Sequence, residues 1–128
     1  MSSDLAMGEG VSAADYIGLQ RRRSEWIGRV QLALQGFDAL LCPTVPLQAP
    51  LLAPLLDDDA AFIKTNGLLL RNTFTINYLD GCAFSLPCQA ADELPIGLML
   101  AAPGLHDAQL AAVALAVEAA LASAGLGG

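Results

Sequence analysis

Three cysteines, one histidine, six serines and one lysine are the first candidates in this chain for nucleophiles or for the bases that activate them. Cys82 or Cys88 together with His106 and Asp107 has the residue types of a Cys–His pair, in which the imidazole takes the thiol proton before attack on a carbonyl. The thiolate is the reactive form, and no basic residue adjoins a cysteine in the sequence to favour it. Cys42, Cys82 and Cys88 therefore read as reduced, buried thiols, and His106 as a loop residue beside a helix start. A serine nucleophile needs an activating base as well. Lys64 is the only lysine, and Ser2, Ser3, Ser12, Ser24, Ser85 and Ser123 all lie outside any Gly/Ser-rich loop.

Acidic pairs give no better start. Asp92 and Glu93 fall in a short polar turn and read as solvating residues. Asp57, Asp58 and Asp59 precede an apolar run, where carboxylates complement a helix N-terminus. Three consecutive residues on one turn cannot all point at one ion. The cysteines are odd in number and show no CxxC spacing, and no phosphate loop or dinucleotide glycine pattern is present. No catalytic residue, metal ligand or cofactor is expected from these residues.

The elements that would position such groups follow from periodicity. Ser12 with Asp15 three residues on reads as a short capping box. From there Tyr16, Leu19, Trp26, Val30, Ala33 and Phe37, widened by Ile27 and Leu34, form a helical stripe that Gly36 ends. Arg23 lies on that stripe, its stem along apolar surface and its head in water. Ala39–Cys42 is an unalternated apolar run ending at Pro43, the pattern of a strand covered on both faces as in a parallel sheet. Pro43, Pro46, Pro50 and Pro54 then impose an extended loop. A helix follows the triple aspartate to about Thr73, with a break expected at Gly67. Cys82–Pro87 and Pro95–Ala102 read as strands joined by the turn Ala90–Glu93, an antiparallel hairpin. Asp107 reads as the cap of a last helix carrying Leu110, Val113, Val117 and Leu121 on one face and stopped by Gly125. The expected class is α/β, helices packed on a partial mixed sheet, with residues 1–11 as a flexible segment and 12–128 as one partial domain.

Composition narrows the function classes. The chain has 128 residues, is 55% hydrophobic and carries a net charge of −7. Four of its six basic residues lie between Arg21 and Arg29, so no basic stripe exists to neutralise a phosphate backbone, and nucleic acid is not expected as a ligand. No apolar run approaches the length that crosses a bilayer, and MSSDLAMGEG has neither a basic start nor an apolar core of a signal peptide. With reduced thiols, a soluble cytoplasmic protein without a membrane partner is expected. The apolar fraction excludes disorder. It also implies surface that a lone monomer hides poorly, and hence a homo-oligomer or another partner.

The stretches FDALLCPTVPLQAP, NYLDGCAFSLPC and ELPIGLML resemble the C-terminal portion of the amidase signature family. That family typically shows an Arg-rich helix, then FD-x-L-x-x-PT-x-P-x-x-AP, a helix ending in N-x-x-G-x-P-A-x-S-x-P, then LP-x-GL and a closing helix. Phe37-Asp38, Pro43-Thr44, Pro46, Ala49-Pro50, Asn77, Gly81, Ala83, Ser85, Pro87, Leu94-Pro95 and Gly97-Leu98 are read as the matching positions. Cys82 stands where many members carry proline, a variation of bacterial amidases with LDGCA. The resemblance covers about Glu9 to Ala122.

The resemblance implies one end of the amidase signature fold and hydrolysis of carbon–nitrogen amide bonds by a Lys–Ser–Ser triad. That triad lies upstream of the matched region, and Ser85 matches a structural strand serine. It thus implies an amidase fragment that is inactive alone and acts on a small amide only in an intact enzyme, with the N-terminal amidase portion as partner. The alternative is a non-catalytic, self-associating structural or interaction module derived from an amidase. In the family the helix before the N-x-x-G motif lines the substrate pocket, which assigns Gly67, Leu70 and Phe74 to substrate binding. Relatives that amidate glutamyl-tRNA from glutamine carry an acidic residue near the Leu70 position. Here Leu70 is apolar and its neighbour Arg71 positive, which implies a pocket for an apolar or anionic acyl group instead.

Overall fold

The structure is a computed structural model and describes residues 8–127. The first seven positions of the expected N-terminal segment lie outside the described residues. The chain divides into two compact units, residues 1–33 and 34–128.

The first unit is the helix α1 (Ala13–Ala33). Its start is as the sequence implies: the Asp15 amide donates to Ser12 Oγ at 3.1 Å, and that hydroxyl donates to the Asp15 carboxylate at 2.6 Å. No residue of α1 is buried, and Tyr16 and Leu19 of its apolar stripe are exposed. Beyond it Gly36 takes φ +82°, the left-handed conformation that ends helices and that glycine adopts without steric cost.

The second unit holds β1 (Leu40–Pro43), α2 (Ala53–Leu56), α3 (Asp59–Tyr78), β2 (Cys82–Pro87), β3 (Gly97–Ala102) and α4 (Asp107–Ser123). The strands form one sheet in the order β1-β3-β2. Leu40 faces Ala101 and Pro43 faces Leu98; Cys82 faces Ala102 and Pro87 faces Gly97. Both pairings are antiparallel, which corrects the parallel setting expected for β1 and the mixed sheet expected with it. A four-residue apolar run signals burial but not strand direction. Here β1 is an edge strand, and only Cys42 among its residues is even half-buried. The second strand of the hairpin begins at Gly97, two residues later than expected, because Pro95 has no N–H to give a ladder.

The central strand β3 organises the core through its period of two. Leu100 and Ala102 pack on one face with Leu86 and with Leu110 of α4, backed by Val113, Val117 and Leu121. Met99 and Ala101 pack on the other with Ile76 of α3 and with Cys42. The helix α3 starts as expected, with the Asp58 carboxylate accepting the amides of Ala60 and Ala61 at 2.9 and 3.0 Å. It then runs unbroken through Gly67 and past Thr73, a correction to the expected break and end. The poor helix formers Thr73 and Thr75 bond the carbonyls of Leu70 and Arg71, and burial of Ile76 and Leu79 stabilises the last turns. In α4, Asp107 is the first helical residue and His106 the residue before it, with no side-chain cap. The end is a Schellman turn: Gly125 at φ +74° donates to Ala122 and Leu126 donates to Leu121.

Candidate functional site

The stretches with the most distinctive sequence meet at one place. β1 ends at Pro43, and the next residue, Thr44, still donates its amide to the Gly97 carbonyl at 2.8 Å. From the opposite edge strand β2, Ser85 brings its hydroxyl to Thr44 Oγ1 at 2.5 Å. Two side chains on outer strands reach each other across β3 only because the middle strand has glycine there. A Cβ on Gly97 would lie 2.6 Å from Thr44 Oγ1 and 2.7 Å from Ser85 Oγ. From α3, Asn72 Nδ2 donates to the Pro43 carbonyl at 2.7 Å. Pro-Thr, Ser-x-Pro and Pro-x-Gly are therefore parts of one crossing, with α3 tied to it through Asn72. Nothing in the sequence singles out Asn72, because a lone helical asparagine carries no spacing signal.

Next to this crossing the Pro-rich loop and the start of β3 enclose a cleft of about 190 Å³ lined by Val45, Pro46, Leu47, Gln48, Pro95 and Ile96 among others. Its lining is apolar apart from Gln48. Among the described residues neither hydroxyl of the crossing is hydrogen-bonded to a lysine, histidine or carboxylate.

The thiols are free and half-buried. Desolvation by burial pushes the Cys42 thiol up, which disfavours its thiolate. Cys82 Sγ lies 3.6 Å from the Pro103 carbonyl oxygen, and His106 Nδ1 lies 3.1 Å from the same oxygen and 3.0 Å from that of Gly104. The thiol and the ring thus share a backbone acceptor rather than bonding to each other. No group of three or more His, Cys, Asp or Glu able to hold a metal ion occurs among the described residues.

Gly67, Leu70 and Phe74 share one face of α3, about half a turn away from Asn72 and Ile76. Leu70 is 53% and Phe74 64% exposed, and the space around Gly67 is open. Phe74 stacks on Tyr78 with ring centroids 6.0 Å apart. These residues lie apart from the cleft beside Gly97. The turn after α3 corrects one motif position. Counting N-x-x-G from Asn77 reaches Asp80, not Gly81, and Asp80 itself holds the left-handed φ of +54°. Gly81 is required for a separate reason, since a Cβ there would stand 2.7 Å from the Ala102 carbonyl oxygen.

Residues 3–111 match the family model described as Amidase. The chain is 33% identical over 122 residues to one subunit of the glutamyl-tRNA(Gln) amidotransferase of Acidothermus cellulolyticus, covering 94% of this chain and 23% of that protein. It is 35% identical over 112 residues to 2-amino-5-chloromuconic acid deaminase of Comamonas testosteroni, covering 87% of this chain and 24% of that protein. The same amidotransferase component from Streptomyces coelicolor is similar at 33% identity over 122 residues, again 94% of this chain and 24% of that protein. The chain spans about a quarter of the length of these relatives. No solved structure matches.

Proposed function

The chain belongs to the Amidase family, and from that premise we propose that it is the C-terminal portion of a hydrolase of carbon–nitrogen amide bonds and is inert by itself. It supplies three strands and one wall of the substrate pocket, formed by Gly67, Leu70 and Phe74. Another part of the enzyme, on the same or a separate polypeptide, supplies the nucleophile and its base. The setting is the cytoplasm, where its three free thiols stay reduced. The observation that carries this reading is the Thr44–Gly97–Ser85 crossing. There the family's motif residues hold strands together, and among the described residues no lysine, histidine or carboxylate bonds their hydroxyls.

The test is turnover of simple aryl and alkyl amides. The purified chain alone is expected to be inactive, and activity is expected when it is combined with the upstream portion of a relative. Turnover by the isolated chain that Cys82→Ala or Cys88→Ala abolishes would overturn the reading.

A second reading, a self-associating module, draws on the exposed apolar side chains of the second unit, Leu51, Leu56 and Phe74 among them. Light scattering separates the two: a dimer that unfolds on dissociation supports self-association, and a stable monomer removes it.

A further inference from the structure

Lys64 and Arg71 are the only basic residues after Arg29 in a chain of net charge −7. Seven residues apart on α3, they lie on one side of the helix about 10 Å from each other along its axis. Gly67 sits between them, with nothing within 4 Å of where its Cβ would be. Phe74 follows Arg71 by three residues, so their positions are neighbours on the helix surface.

The side chain of Arg71 is steered. Its Nε donates to Asn72 Oδ1 at 3.4 Å, while the amide nitrogen of the same Asn72 donates to the Pro43 carbonyl. One asparagine thereby links the end of β1 to the guanidinium. That bond uses one of the five N–H groups of arginine and leaves both terminal nitrogens free, the fork that fits a carboxylate bidentately. Among the described residues no carboxylate pairs with Arg71.

We propose that Arg71, positioned by Asn72, selects an anionic substrate: a small amide whose acyl chain carries a carboxylate, with that carboxylate on the Arg71 fork and the acyl chain over Gly67 between Leu70 and Phe74. Arg71 is a specificity-determining residue and Asn72 a positioning residue. The proposal rests on the assignment of Gly67, Leu70 and Phe74 to the substrate pocket.

The chain itself is titrated with succinamate and, as the neutral counterpart, succinamide, with backbone amide shifts of α3 as the readout. Succinamate is expected to move the signals of Gly67 to Phe74, and succinamide to leave them unmoved. Arg71→Gln should weaken succinamate binding about tenfold, the scale of a hydrogen-bonded charge pair. Arg71→Lys should fall between, keeping the charge but not the fork. Asn72→Ala should weaken succinamate binding while the signals of α4 stay unchanged. Since Arg71 is exposed, its replacement leaves the fold intact, which the unchanged signals of α4 would verify. Equal responses to the two amides, no response to succinamate, or binding indifferent to Arg71→Gln overturns the proposal. Amide turnover is measured separately on the combined enzyme. Succinamate binding through Arg71 without any turnover would sink the amidase reading, and turnover with no preference for anionic amides would sink this inference alone.

Discussion

Placing one methyl group on Gly97 tests the account of the crossing directly. In Gly97→Ala the new Cβ would stand 2.6 Å from Thr44 Oγ1, 2.7 Å from Ser85 Oγ and 3.0 Å from Thr44 Cβ. Ordinary contact begins near 3.4 Å, so the two hydroxyls must part. Loss of their hydrogen bond costs about 1 kcal/mol, and forcing side chains off their positions in a packed site costs about 1–3 kcal/mol. The total is about 3 kcal/mol, a large share of the roughly 5–15 kcal/mol that stabilises a domain. Urea unfolding followed by far-UV circular dichroism reads it, with a midpoint expected to fall by about 1.5 M at a slope near 2 kcal/mol/M. Trp26 is not a suitable probe, because it lies in α1 rather than in the unit that contains the sheet. Thr44→Ala removes the nearest obstructing atom, so the double variant should be more stable than the two single effects added, with a coupling of about 1 kcal/mol. A Gly97→Ala protein within about 0.5 kcal/mol of the parent, or strictly additive single effects, would refute the reasoning.

Other expectations follow from the same packing. Leu110, fully buried against β2 and β3, should cost about 2–5 kcal/mol when replaced by alanine, seen as a lower denaturant midpoint. Asp58→Ala removes the cap of α3 and should cost about 1 kcal/mol, read from thermal unfolding. Burial raises the Cys42 pKa, so the folded chain holds that proton where the unfolded chain has begun to lose it. Alkylation of Cys42, followed by mass spectrometry, should therefore inflect at higher pH in the folded chain than in the same chain unfolded in urea. The contribution of this thiol to stability should decline as pH rises through the ordinary thiol range.

Local signals were legible wherever the physics is local. Ser12 with Asp15, Asp58 before α3, and Gly36 and Gly125 as helix ends are each decided by a cap or a left-handed φ within a few residues. The amidase resemblance was legible for another reason: the order and spacing of Pro43-Thr44, Ser85-x-Pro87 and Pro95-x-Gly97 survive as text. What those residues do was not. Thr44 and Ser85 are 41 positions apart, and no periodicity announces that two hydroxyls will meet across a glycine in a third strand.

Tertiary structure alone decided the direction of β1, the continuity of α3 and the linkage through Asn72. A four-residue apolar run states that burial is favourable and leaves its partner open. Pairing with β3 made it antiparallel. Thr73 to Ile76 argued locally against helix, and burial of Ile76 and Leu79 prevailed because side-chain burial outweighs the few tenths of a kcal/mol that propensity supplies. Caps and turns were thus legible along the chain because their donors and acceptors are neighbours in it. The crossing at Gly97 became visible only once three separate strands had been brought within hydrogen-bonding distance.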